Sequence, residues 1–266
     1  MIQIKTPEEI ELIRESSLLV SKTHAMLVEY IHPGVQTSKL DNLAEQFIRD
    51  NGAKPSFKGY GGFPATLCIS INEQVVHGFP SERTIQEGDI LSIDCGVFKN
   101  GFHGDSAFTF PIGEIKADAK KLLQVTFNSL FLGIEQAVAG NRVGDIGFAI
   151  QNYCEFTHKY GVVRDLVGHG VGKELHEDPQ IPNYGKRGKG PMLQEGMVIA
   201  IEPMINLGTY QVRTLADKWT IIAKDGQASA HYEHTVAVKR GQADILSDHN
   251  LIFEAIKKSE YIKDFR

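Results

Sequence analysis

Glu87-Gly88-Asp89-Ile90-Leu91-Ser92-Ile93-Asp94 is answered, roughly a hundred residues further on, by Glu195-Gly196-Met197-Val198-Ile199-Ala200-Ile201-Glu202. Each stretch is a Glu-Gly turn, then an apolar run of strand length, then a carboxylate at its end. The surroundings repeat in the same order. His77-Gly78-Phe79-Pro80 precedes the first copy and His176-Glu177-Asp178-Pro179 the second, while Gly34 corresponds to Gly140 and Leu40 to Ile146. Two copies of helix, helix, histidine, strand and acid predict two pseudo-symmetric halves, roughly 6–112 and 113–240, whose strands join into one sheet.

The helices are read from their signals. Thr6-Pro7-Glu8-Glu9 offers an N-cap, a proline in the first turn and a capping box, and Ile10, Ile13, Val20, Leu27 and Ile31 recur at helical spacing until His32-Pro33-Gly34. Thr37 or Ser38 caps the next helix, and Asn51-Gly52 ends it. The second half repeats the pair at about 117–139 and about 145–160, stopping at Gly161, and a last helix spans about 248–262. Asn100-Gly101 and Asp225-Gly226 read as two-residue hairpin turns, so the sheet is expected to be largely antiparallel and the class α+β. No Gly/Ser linker separates the halves, which predicts one domain over 1–266.

Composition narrows the function classes. The chain has 266 residues, 42% of them hydrophobic, and a formal charge of −5 without a long run of either sign. That pattern gives no footprint for nucleic acid. The N-terminal segment is charged and no apolar run approaches bilayer length, so a cytoplasmic protein without membrane association is expected. Cys68, Cys95 and Cys154 lie far apart among apolar neighbours and read as reduced packing residues.

The acids at the strand ends carry the chemistry. A hairpin through residues 96–101 brings Asp94 and Asp105 together: directly opposite, about 5 Å apart at Cα, if the turn centres on Lys99-Asn100, and diagonal after a shift of two residues. Leu91, Ile93, Ala107, Phe108 and Phe110 mark this strand pair as buried, and buried like charges need a cation or a proton. Glu202 ends the echo strand, Glu233 lies in Ala230-His231-Tyr232-Glu233-His234-Thr235-Val236, and His169 sits between Gly168 and Gly170, where the backbone is expected to turn sharply. Any one of these alone is more often a cap or an ion-pair partner. Four carboxylates and one imidazole placed by a repeat suit two divalent ions, Mn²⁺, Fe²⁺, Co²⁺ or Zn²⁺. Such a pair, roughly 3.5–4 Å apart, points to hydrolysis. A hairpin through Asp225-Gly226 further predicts that residue 218 or 219 lies opposite Glu233, which puts Trp219 beside a metal ligand.

These residues resemble those of the pita-bread aminopeptidases, specifically the type I methionine aminopeptidases. The resemblance covers essentially the whole chain and rests on Cys68-Ile69-Ser70-Ile71-Asn72-Glu73, Val76-His77-Gly78, Asp94, Gly101-Phe102-His103-Gly104-Asp105, Gly168-His169-Gly170-Val171-Gly172, His176-Glu177, Ile201-Glu202-Pro203 and Tyr232-Glu233-His234-Thr235. It implies a curved, largely antiparallel sheet with helices on its outer face. It also implies one metal on Asp94, Asp105 and Glu233 and a second on Asp105, His169, Glu202 and Glu233. Glu202 becomes the proton shuttle, His176 the stabiliser of the oxyanion, and His77 the contact to the scissile amide. Tyr60, Phe63, Cys68 and Trp219 would line the methionine pocket, and a monovalent cation would sit on the carbonyls of Asn72, Gln74 and Ser229. Phe57, Gly96 and Leu175 depart from the pattern of the best-known bacterial members and bear on pocket shape. The implied activity is removal of the initiator methionine from nascent chains with a small second residue, by a monomer that contacts the ribosome only transiently. Neither the zinc-binding extension of eukaryotic type I enzymes nor the inserted subdomain of type II is expected, which fits a short bacterial-type form. Prolidase-like and aminopeptidase P-like enzymes, or a non-catalytic peptide-binding homologue, are the alternatives.

Overall fold

A computed structural model describes residues 1–266. Helix α1 (Pro7–Leu27) starts where the sequence places it: Thr6 Oγ1 accepts from the Glu9 N–H, and the Glu9 carboxylate accepts from the Thr6 N–H. Helix α2 (Thr37–Asp50) differs at its start. Gln36 is the N-cap without a side-chain bond. The Thr37 hydroxyl instead donates to the Ser81 carbonyl and accepts from the Ser81 N–H, tying the helix to a distant loop. The end is as expected, with Gly52 at φ +70°.

The first half continues with β1 (Lys54–Pro55), β2 (Leu67–Ile71), β3 (Gln74–Val76), β4 (Ile90–Lys99) and β5 (Phe102–Pro111). The β4–β5 turn centres on Asn100-Gly101, at φ 53° and 85°, as a two-residue hairpin requires. Asp94 therefore pairs with Ala107 and Asp105 with Gly96, so the two aspartates are diagonal neighbours and not directly opposite.

Helix α3 (Ala117–Ile134) stops short of Ala139 because Val138 bridges Lys239 and the Ala139 N–H donates to the Lys239 carbonyl. Helix α4 (Val143–Gln151) begins two residues before Asp145, whose carboxylate accepts from the Arg142 N–H. It runs on through a wider turn at Asn152–Thr157. The left-handed residue that ends this helical run is Lys159, at φ 63°, and Gly161 already belongs to β6 (Gly161–Val162). The remaining elements are β7 (Gly168–Gly170), β8 (Glu177–Ile181), β9 (Val198–Ile201), β10 (Met204–Asn206), β11 (Val212–Thr214), β12 (Ile221–Ala223), β13 (Ser229–His231), β14 (His234–Ala237), β15 (Asp244–Ile245) and α5 (His249–Ile256). Asp248 caps α5, which is shorter than expected.

Every strand pairing is antiparallel, but the strands form four hydrogen-bonded sets rather than one sheet: β1-β4-β2 with β5 on β4, β13-β10-β6, β11-β12-β3, and β15-β14-β9-β7-β8. Side-chain hydroxyls join the halves where a ladder is missing. Thr235 Oγ1 donates to the Asp105 carbonyl and accepts from its N–H, while Thr109 Oγ1 does the same for His231. The Glu233 N–H donates directly to the Ala107 carbonyl at 3.0 Å. The Asp225-Gly226 turn does not make the expected hairpin: β12 pairs with β3 and β11, and β13 with β10. The Asp225 carboxylate accepts from the N–H groups of Thr209 and Gln227, which holds the turn against residues 208–209 instead.

One continuous apolar core draws Ile69, Ile93 and Phe108 from the first half and Leu130, Ile199 and Tyr232 from the second. Burial of that surface, at about 25 cal/mol per Å², is what holds the halves in register at their seam. All three cysteines are buried and unpaired, as expected. No helix is long and apolar enough to cross a membrane.

Candidate metal centre

The five expected ligands converge at the seam. Asp94, on β4, and Asp105, on β5, share one sheet face with Cys68, which is cross-strand from Asp94. Glu233 follows β13 and is held against β5 by its own N–H and by Ser106 Oγ, which donates to the Glu233 carbonyl. Glu202 leaves the end of β9, its carbonyl accepting from Asn183 Nδ2. Ligand atoms of Asp105, His169 and Glu233 lie within 4.8 Å of one another. His169 Nε2 stands 3.5 Å from Glu202 Oε1 and 3.9 Å from Asp105 Oδ2.

His169 is delivered differently from the expectation. Gly168 and Gly170 are strand residues of β7, packed between β8 and β9, and not a sharp turn. Their missing Cβ atoms matter for close approach: a Cβ at Gly168 would lie 2.3 Å from the Ala200 carbonyl oxygen, and one at Gly170 2.4 Å from that of Asp178. The Gly170 carbonyl is a partner of His169 Nδ1 at 2.9 Å, which leaves Nε2 facing the acids.

The electrostatics show what the cluster lacks. Asp94 Oδ1, Asp105 Oδ1 and Glu233 Oε1 are buried without any hydrogen-bond partner. Burial pushes Asp94 up to about 7 and Glu202 up to about 8, and burial together with the neighbouring acids drives Asp105 and Glu233 well above the carboxylate range. Burial pulls His169 down to about 3, so its imidazole is neutral and free to act as a ligand. Orphaned carboxylate oxygens around a neutral imidazole fit divalent cations, which would satisfy both the charge and the empty lone pairs.

A cavity of about 140 Å³ opens onto this cluster. Its lining contains the four acids and His169, with His77 and His176, and Phe57, Tyr60, Phe63, Cys68, Leu175 and Trp219, whereas Gly96 and the carbonyl positions Asn72, Gln74 and Ser229 lie outside it. Trp219 reaches it by an unforeseen route, since the pairing of Ile221 with Val76 sets the end of β12 beside His77. Phe63 packs edge-on to Trp219 and stacks on Phe79, with both centroid distances 5.3 Å. Tyr60 Oη lies 2.8 Å from His176 Nδ1. His77 holds a left-handed backbone at φ 57°, a strained state for a residue with a side chain and one that clusters at functional sites. Burial lowers His77 to about 4 and also lowers His176.

Val76 also lines the cavity, and His231 stands behind it with Nε2 3.5 Å from Glu202 Oε2. Neither was singled out. The signal for His231 was alternation, which sets it on the same side as Glu233.

The sequence pattern of metallopeptidase family M24 matches residues 11–240. The chain belongs to that family. Among M24 relatives, a methionine aminopeptidase of Clostridium acetobutylicum is 55% identical over 93% of this chain and 99% of its own. The crystal structure of methionine aminopeptidase from Thermotoga maritima superposes with a TM-score of 0.91 at 42% identity, covering 93% of this chain and 100% of that one. A prolidase of Pyrococcus furiosus shares the fold more distantly, with a TM-score of 0.75 and 26% identity over 92% of this chain and 65% of its own. This M24 member therefore has the pita-bread fold and the metal dependence of its family.

Proposed function

We propose that this metallopeptidase removes the N-terminal methionine of peptides and nascent proteins whose second residue is small. The observation that carries the reading is the cavity itself: an aromatic pocket with a cysteine in its lining that opens onto a cluster of buried carboxylates with unpaired oxygens. A linear thioether suits aromatic edges and faces, and a free α-amine suits an anionic site. Sequence identity favours this over the prolidase-like alternative, 55% against 26%.

In this reading Asp94, Asp105 and Glu233 would hold one divalent ion, and Asp105, His169, Glu202 and Glu233 would hold a second. Divalent ions bound there would supply the Lewis acidity that peptide hydrolysis needs. The chain's own groups do the rest. Glu202, at the edge of the acid cluster and lining the cavity, is placed to accept and return a proton. With the Tyr60 hydroxyl donating to Nδ1, His176 carries its proton on Nε2 and offers it to the developing oxyanion. His77 contacts the scissile amide. The same reading keeps a monovalent cation at the carbonyls of Asn72, Gln74 and Ser229, and has the protein act as a cytoplasmic monomer on chains leaving the ribosome.

Purified protein, stripped with chelator and resupplied with Mn²⁺, Fe²⁺ or Co²⁺, is expected to release methionine from Met-Ala-Ser but hardly from Met-Pro-Ser or an N-acetylated peptide. Equal cleavage of the acetylated peptide would remove the anchored amine from the account.

A further inference from the structure

Glu202 is flanked by two imidazoles, one on each oxygen. Oε1 faces His169 Nε2 at 3.5 Å, and Oε2 faces His231 Nε2 at the same 3.5 Å. His231 is 1% exposed and its Nε2 has no hydrogen-bond partner. A buried imidazole nitrogen left this way forgoes its hydrogen bond with water and receives nothing in return, so its placement calls for an explanation.

We propose that His231 is a positioning residue for Glu202: its Nε2–H holds Oε2, and this fixes the carboxylate with Oε1 turned toward His169. The surrounding framework is built for that. The His231 N–H donates to Thr109 Oγ1 at 3.0 Å, and the same hydroxyl donates back to the His231 carbonyl at 2.7 Å. Thr109 Oγ1 is itself 2.8 Å from Ser92 Oγ, so the clamp reaches into β4. Across the ladder His231 pairs with Met204, two residues beyond Glu202. His231 is thus carried on β13, and Glu202 sits in the two-residue link between β9 and β10, so paired backbone on either side sets their separation. At 3.5 Å the contact falls short of a good hydrogen bond. Bonds of this kind are commonly long in the free enzyme and tighten once substrate is bound. A carboxylate that must receive and return a proton loses rate when it rotates, and a donor fixed on its far oxygen prevents that.

The proposal rests on the aminopeptidase reading, and the test separates the two. In the Mn²⁺-loaded full chain, His231→Leu is expected to lower kcat for Met-Ala-Ser about 10–100-fold, with KM, Mn²⁺ content and melting temperature close to wild type. His231→Gln, whose amide N–H reaches nearly the same point, recovers most of that loss. In a Glu202→Gln background His231→Leu has no further effect, because the group it positions is gone. If His231→Leu does not fold, His231→Met replaces it. A readout independent of turnover comes from ¹⁵N-histidine NMR of the metal-free protein, which is expected to find the His231 proton on Nε2. A wild-type chain that releases no methionine defeats the functional reading. With an active wild type, the positioning role is overturned by any of four results: a kcat within about threefold of wild type, an equal further loss in the Glu202→Gln background, loss of metal from His231→Leu, or a proton on Nδ1.

Discussion

Gly96→Ala tests whether Phe57 and Gly96, two of the departures, which lie against each other, are a coupled pair. A Cβ at residue 96 would stand 2.6 Å from Phe57 Cε1, 2.8 Å from Ser56 Cβ and 3.1 Å from Phe57 Cδ1. Ser56 cannot simply retreat, since its N–H donates to the Gly96 carbonyl at 2.9 Å. The Phe57 ring must therefore swing, and it lines the cavity. Overpacking of this kind costs about 1–3 kcal/mol. The φ of Gly96 is not left-handed, so alanine also gains about 0.4–1 kcal/mol by restricting the unfolded chain. Overpacking wins, and the net loss is about 1–2 kcal/mol, or roughly 2–8 °C in Tm. KM for Met-Ala-Ser is expected to rise while kcat changes little, because the Phe57 ring packs with Phe63, Cys68 and Leu175 of the side-chain pocket. With Phe57→Cys in the background, the two ring contacts disappear while the Ser56 Cβ contact remains, and Gly96→Ala should cost about 1 kcal/mol less by denaturant titration. Identical effects in the two backgrounds, or a Gly96→Ala protein as stable as wild type with unchanged KM, would refute the coupling.

Further outcomes follow from the same geometry. Glu202→Gln is expected to lower kcat about 10²–10⁴-fold while leaving KM for Met-Ala-Ser within about threefold, as loss of a proton-transfer group does; equal losses in both constants would argue against that role. Acids whose folded pKa is raised hold their protons in the folded chain and lose them on unfolding, so the contribution of these acids to metal-free stability falls as pH climbs from about 4 toward 8, opposed below about 6.5 by His24, His77, His169 and His234, which burial keeps neutral in the folded chain. Metal binds the ionised form, and the Mn²⁺-induced rise in Tm should be larger at about pH 8 than at about pH 5.5; a shift independent of pH contradicts the assignment of these carboxylates as ligands. Thr6→Ala removes the capping-box acceptor of α1 and should destabilise by about 1 kcal/mol without altering kcat/KM, as denaturant and kinetic assays would show.

The site was more legible in the sequence than the sheet. Strand period fixes which side of β4 and β9 each residue faces, and a two-residue Asn-Gly turn fixes register, so Asp94, Asp105 and Glu202 could be placed by local rules. Misreadings arose where a distant partner decides a local choice. Asp225-Gly226 has the composition of a hairpin turn, but Thr209 claims its carboxylate. The run after Ile134 looks helical, yet Lys239 takes Val138 and Ala139 into a bridge. Gly168 and Gly170 suggest a turn, whereas their neighbours across β8 and β9 show that the backbone needed closeness rather than curvature. His231 escaped notice for the same reason: its significance lies in Glu202, which is far away in sequence.

Anomalous diffraction from crystals of the Mn²⁺-loaded protein tests the central claim most directly. The account predicts two Mn²⁺ peaks in the cavity, one within ligand distance of Asp94, Asp105 and Glu233 and the other within ligand distance of Asp105, His169, Glu202 and Glu233. Peaks away from these side chains, or none in a protein that still releases methionine, would contradict it.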